Sequence, residues 1–285
     1  MVSSLPITPI NYLLIGHITQ DILPDGSYQL GGTSSFAGFT AFALGHQVGL
    51  VTSCSPSIDF STYAQLQINL APSSCTTTFR NLSNDGERRQ YLYQKAAKLD
   101  KNSIPTLWKS CPLVHLGPVA DEVDPEIFTE FSDGLLCLTP QGWLRETDED
   151  HLVHKVNWHY SDDLLRAADA TVLSLEDLGG DEEQVLRFAE LSKLLVVTEN
   201  KHGCRVYWQG EVRHIPAPLK ILADDTGAGD IFAAGFFHHY FITRDPWQSA
   251  IFATSLAATS VTRRYLASIP TPEEILMAEF LASEG

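Results

Sequence analysis

Short apolar runs and helical stretches alternate along most of this chain. Residues 12–18 form a β-rich run that closes on Gly16-His17, and residues 36–44 read as a buried or amphipathic helix stopped by Gly45. Residues 48–52 are the next strand. Leu113–Leu116 and Leu135–Leu138 are short buried-strand candidates, each followed by a Gly or Pro break. Residues 171–175 and 194–197 repeat the pattern, with residues 182–192 helical between them. Strands alternating with helices at these lengths predict a mainly parallel sheet with right-handed crossovers, an α/β fold. In such sheets the chemistry lies beyond the carboxyl ends of the strands.

Two stretches break the alternation. Residues 22–30 hold Pro24-Asp25-Gly26-Ser27, a turn between short extended arms. Residues 76–93 alternate Thr, Phe, Leu and Tyr around Asn84-Asp85-Gly86, a hairpin turn signal. Both predict antiparallel strands projecting from the main sheet, as plain surface hairpins or as a small β lid over a site.

Composition then narrows the chemistry. At 285 residues and 44% apolar, the chain is long enough to bury a sizeable core. Nineteen Lys and Arg against 35 Asp and Glu give a formal charge of −16, which repels phosphate backbones and anionic lipid headgroups. Neither nucleic acid nor a membrane is an expected partner, and an anionic ligand would need a local device such as a helix N-terminus. The five cysteines (Cys54, Cys75, Cys111, Cys137, Cys204) are scattered, with no Cys-x-x-Cys pair, and read as isolated thiols of a reducing compartment. With neither a secretory signal nor a membrane span legible, the expected location is cytoplasmic.

The local device is Asp224-Asp225-Thr226-Gly227-Ala228-Gly229-Asp230, followed by the apolar residues 231–241. Gly227 and Gly229 allow a tight turn and leave N–H groups uncovered at the positive end of a helix. Asp230, at the start of that helix, is placed to accept a proton from an attacking hydroxyl. A Gly-rich turn with an Asp cap is the plainer alternative.

The full string Asp225-Thr226-Gly227-Ala228-Gly229-Asp230 resembles the C-terminal signature of the ribokinase (PfkB) family of carbohydrate and nucleoside kinases. The likeness extends along nearly the whole chain. Gly16-His17-Ile18-Thr19-Gln20-Asp21 is similar to the family's first strand and turn, with Asp21 at the sugar-binding Asp. Gly31-Gly32 resembles the di-glycine hinge between lid and main domain. Val196-Val197-Thr198 with Lys201-His202-Gly203 is similar to the strand and loop near the nucleotide, and residues 270–275 to the start of the C-terminal helix. The departures are also informative. Phe36 stands near where many members have Asn, and Ser174-Leu175-Glu176-Asp177 replaces the Asn-x-x-Glu element. Thr198-Glu199-Asn200 replaces a Gly-containing nucleotide loop. Gln141 and a displaced Arg145 stand for the Asn and Arg of many sugar kinases.

The resemblance implies one ribokinase-like α/β/α domain over residues 1–285, with a lid built from about 19–33 and 76–95. It implies ATP-dependent phosphorylation of a hydroxyl on a sugar, polyol or nucleoside, with Asp230 as base and Gly227, Ala228 and Gly229 as the anion hole. Thr198, Gly203, Thr226, Gly227 and Gly229 would border the nucleotide, and Asp21, Gly31, Gly32, Gln141 and Arg145 the acceptor. Mg2+ would lie indirectly near Glu176 and Asp177, and a monovalent cation such as K+ near Asp225. A homodimer through the lid is a further implication. Trp143 is expected either to stack on a sugar ring or to pack in the core. Two alternatives on the same fold stay open: a catalytically impaired sugar or nucleotide sensor, and a kinase of vitamin-like heterocycles.

Overall fold

A computed structural model describes residues 7–84 and 87–285, and at 83, 84, 87 and 88 the backbone alone. In chain order the elements are β1 (Tyr12–Ile15), β2 (Thr19–Ile22), β3 (Tyr28–Gly31), α1 (Thr33–Ala43), β4 (Val48–Cys54) and β5 (Gln67–Pro72). Next come β6 (Thr77–Asn84), β7 (Glu87–Gln94), β8 (Leu113–Leu116), β9 (Leu135–Leu138), β10 (Arg145–Thr147), β11 (Val153–Lys155) and α2 (Ser161–Ala167). The chain continues through β12 (Ala170–Ser174), α3 (Glu182–Leu191), β13 (Leu194–Thr198), β14 (Cys204–Trp208) and β15 (Glu211–Ile215). It closes with α4 (Ala228–Thr243), α5 (Pro246–Ser260) and α6 (Pro272–Glu284).

Among the described residues the central sheet has the order β15-β14-β13-β12-β9-β8-β1-β4-β5, parallel from β13 to β5 and antiparallel at β14 and β15. Its inner strands β1, β4, β8, β9, β12 and β13 are buried on both faces, as a doubly covered parallel sheet requires. Leu13, Ile15, Leu136 and Val197 face α2 and α3 through Leu165 and Phe188. Tyr12, Leu14, Leu135 and Val196 face α1, α4 and α5 through Ala37, Phe236 and Ala253. Three layers result, as expected. No helix among the described residues is long and apolar enough to cross a membrane.

A second, four-stranded sheet has the order β3-β2-β6-β7 and takes up the segments expected to form the lid, the name used for it below. The two hairpins are not separate projections, however. β2 pairs with β6 in parallel, Thr19 opposite Thr77, so the arms merge into one sheet. Asp85 and Gly86 of the expected turn lie outside the described residues.

Several boundaries shift for local reasons. The helix expected over 36–44 begins at Thr33, because Gly32 at φ +80° turns the lid strand straight into it. α5, rich in Ala, Ser and Thr, is covered on several sides and shows no polar stripe, so periodicity does not reveal it. The β14–β15 hairpin did carry a signal. Gln209-Gly210, both at positive φ, form its two-residue turn.

Candidate active site

The floor of the cleft is the first turn of α4. Gly227 caps it at φ +81°, and a Cβ there would lie 2.2 Å from Cδ1 of Phe36. Phe36 is thus no acceptor contact. It is buried with Ile231, Phe252 and Leu256 and forms the apolar wall behind the turn. Thr226 N–H donates to Asp224 Oδ1 at 3.0 Å, and Ala228 N–H to the Asp225 carbonyl at 3.1 Å. Ala228 is therefore turned away from the role of anion donor. The N–H groups of Gly229 and Asp230 have no carbonyl within the helix to reach. A Cβ at Gly229 would meet nothing within 4 Å, so open space lies at the positive end of the helix.

Asp230 is the third residue of α4, largely enclosed but not sealed off. Thr33, the first residue of α1, donates its hydroxyl to Asp230 Oδ1 at 2.7 Å. Burial pushes the Asp230 carboxyl up to about 6. The Thr33 hydrogen bond and the charge of Arg145 pull the other way, and the charge of Asp177 adds to the rise. Such a group is ionised at neutral pH yet keeps real proton affinity, as a general base must.

On the lid side the residues are joined by side-chain hydrogen bonds. Arg145 pairs with Asp177 at 3.1 Å and donates to Gln90 Oε1 of β7 at 3.1 Å. Gln90 donates to Asn81 Oδ1 of β6 at 3.0 Å, and Asn81 to Asp21 Oδ1 of β2 at 3.2 Å. Asp177 also accepts from the Ser174 N–H at 3.2 Å and from Gln141 at 3.5 Å. A continuous polar chain thus runs from the lid to the turn after β12. Gly31 faces it closely, since a Cβ there would lie 3.0 Å from Asp21 Oδ2.

The structure therefore brings Asp21, Gly31, Gln141, Arg145 and Asp177 into one network and sets Asp230 within reach of its charges. Glu176 is exposed, and its N–H rests on Ser174 Oγ. Asp225 is exposed as well. Among the described residues, no three His, Cys, Asp or Glu side chains converge as a metal cage. Gly32 is tightly held, because a Cβ would lie 2.8 Å from Thr19 Cγ2. Trp143 belongs to the core, stacked on Trp158 at 5.5 Å with Nε1 donating to the Val123 carbonyl.

On the far side, Thr198 ends β13 and donates to the Leu173 carbonyl at 3.4 Å. Gly203 turns at φ +100°, and a Cβ would lie 1.9 Å from the Ile215 carbonyl oxygen. Beside it opens an apolar groove of about 360 Å³ lined by Ile215, Pro216, Pro218, Ile251 and Leu281.

Thr33, Asn81 and Gln90 were not singled out from the sequence. The register offered a signal for two of them: counting outward from the hairpin turn sets Asn81 opposite Gln90. Phe79 and Leu92 pair two steps nearer the root, with the register shift just beyond them, between Thr78 and Phe79.

The chain is similar to known carbohydrate kinases. The profile of the pfkB family carbohydrate kinases matches residues 167–274. The chain is 28% identical over 254 residues to a fructokinase of Klebsiella pneumoniae, spanning 78% of this chain and 81% of that one. A shorter match, 48% over 42 residues, links it to an inositol 3-kinase of Zea mays, covering 15% of this chain and 11% of that one. Among solved structures, a sulfate complex of a pyrophosphate-dependent kinase in the ribokinase family superposes with a TM-score of 0.78 at 19% identity. That match covers 94% of this chain and 99% of the other, and shows the shared fold.

Proposed function

The chain belongs to the pfkB, or ribokinase, family of carbohydrate kinases, and we propose that it moves the γ-phosphoryl group of ATP to a hydroxyl of a small neutral sugar or polyol held between the lid and Asp230. The observation that carries this reading is Asp230, poised near pKa 6 and oriented by Thr33, at the open first turn of α4.

In the proposed step the acceptor hydroxyl gives its proton to the Asp230 carboxylate while its oxygen attacks the γ-phosphorus, and ADP leaves. The N–H groups of Gly229 and Asp230, backed by the helix dipole, meet charge on the transferred group. Gly227 shapes that turn, with Thr226 before it. Magnesium arriving on the phosphates supplies charge neutralisation. Among the described residues no cage forms for it, so Glu176, open to solvent, would hold it through water, while Asp177 is committed to Arg145. A K+ ion would have the Asp225 carboxylate to bind, and K+ dependence of the rate is its test.

The acceptor class follows from the lid chain. Carboxylates, amides and a paired guanidinium suit hydroxyl groups. Arg145 is already matched by Asp177, which disfavours an anionic acceptor, and Trp143 is not available to stack on a nucleobase. The groove beside Gly203 is apolar enough for a purine ring, supporting ATP as donor. An intact cradle and base support an enzyme over a sensor.

The test is ADP or phosphate release across a panel of sugars, polyols, nucleosides and hydroxymethyl heterocycles, with ATP and pyrophosphate as alternative donors. Turnover with ATP and a neutral polyol or sugar is expected. Binding without turnover in every pairing would support the sensor instead.

A further inference from the structure

Away from Asp230, Glu122 is a fully buried carboxylate whose position the phosphoryl chemistry does not explain. Its oxygens accept only backbone donors: His17 N–H at 3.0 Å, Val119 N–H at 3.0 Å and Ala120 N–H at 2.7 Å. Its own carbonyl accepts the Leu99 N–H at 2.8 Å, where the chain returns from the lid. Three segments therefore meet on one residue: the end of β1, the loop after β8, and the path leaving β7 to rejoin the main sheet.

His17 extends the junction. Its Nε2 lies 2.9 Å from the Ala97 carbonyl, which can only accept, so Nε2 carries the proton. Nδ1 must then accept from the Thr77 hydroxyl at 2.7 Å. Thr77 Oγ1 in turn accepts the Ala96 N–H at 3.0 Å. Burial pushes His17 below the usual imidazole range, in keeping with this neutral form. One imidazole thus ties the entry of β6 to the exit of β7.

The loop that Glu122 holds is also the seat of the lid. Val119 and Ala120 pack against Phe79 and Leu92 in a small apolar cluster. Asn81 and Gln90 lie two residues further along the same strands and so on the same face as Phe79 and Leu92. A tilt at the root is carried to the Gln90–Arg145 contact.

We propose that Glu122 is a positioning residue, which through His17 and Thr77 fixes the lid over the acceptor without touching it. Only the kinetic readout of this proposal rests on the kinase reading. Glu122→Gln keeps the size but sets an NH2 group against backbone N–H donors.

Hydrogen–deuterium exchange of the full chain is the test, since it requires no acceptor. Glu122→Gln should speed exchange about tenfold in residues 19–31 and 77–94 and leave residues 160–260 unchanged. Thr77→Val, nearly isosteric, should give the same pattern at smaller size. Where an acceptor is known, its KM should rise with little change in ATP KM. Lid exchange equal to the parent, or acceleration spread equally through lid and main sheet, in both variants would overturn the proposal. A silent kinase assay with lid-restricted exchange would instead count against the kinase reading alone.

Discussion

The two sides of the cleft are fixed by different forces. On the floor, Phe36, Ile231 and Phe252 press apolar surface against a Gly227 turn that admits no side chain. On the lid, Asp21, Asn81, Gln90 and Arg145 hold one another by side-chain hydrogen bonds. Close packing makes the floor rigid and sets backbone N–H groups where a phosphoryl group can sit. A partly open hydrogen-bond chain can exchange partners with an acceptor at little net cost. On the proposed function, the chemistry lies on the packed side and acceptor choice on the adaptable one.

The strongest break of this division is Asp230→Asn. It keeps shape and the Thr33 contact but removes the proton acceptor, so kcat should fall by about 10²–10⁴-fold. ATP binding by calorimetry should be unchanged. Because an ionised Asp230 is held against a burial penalty, the variant should also be at least as heat-stable as the parent.

Next are the two cradle glycines, which are needed for different reasons. Gly229→Ala meets no protein atom and should leave the Tm unchanged, while the methyl group intrudes on the phosphoryl space and lowers kcat by about 10–100-fold. Gly227→Ala meets Phe36 at positive φ and should lose at least about 1–3 kcal/mol of stability. Chemical denaturation alongside kinetics separates the two. Equal Tm losses would contradict the open floor.

On the lid side, Arg145→Met should raise acceptor KM about tenfold and leave ATP KM alone. It also removes a charge that pulls the Asp230 pKa down, so the acidic limb of the rate profile should move to higher pH.

These contrasts explain what could be read from the sequence. The floor depends on backbone geometry, which glycine spacing announces, so Gly227, Gly229 and Asp230 are legible as a string. The central strands are legible because both faces are buried and each run is uniformly apolar. The lid chain depends on residues distant in sequence, such as Gln90 and Arg145, meeting through tertiary register. Glu122 looks like one more surface acid, because nothing local reveals that three backbone donors surround it. Phe36 appeared as a departure from a family pattern, and only its contact with Gly227 gives it a role.

The smallest expected effect is on acid stability, and it belongs to the packed side. His46 and His238 share a hydrogen bond of 2.8 Å, and burial lowers them to about 4 and about 3. His115, between Tyr12 and Thr139, is lowered to about 3. The unfolded chain takes up these protons from about pH 6.5 downward, so stability should be lost as pH falls from 6.5 towards 4. Asp230 has the opposite sign, gaining its proton first in the fold, and offsets part of the loss. His46→Gln should flatten this slope in denaturation curves taken between pH 4.5 and 7.

The most direct measurement is the pH dependence of kcat/KM for the acceptor at saturating ATP, over the range where the fold is intact. Asp230 must be ionised to accept the proton, and its pKa is raised to about 6. The rate should therefore be level above pH 7 and fall tenfold per pH unit below about 6, through a single ionisation. A rate that stays level down to pH 5 would contradict Asp230 as the buried base on a packed floor.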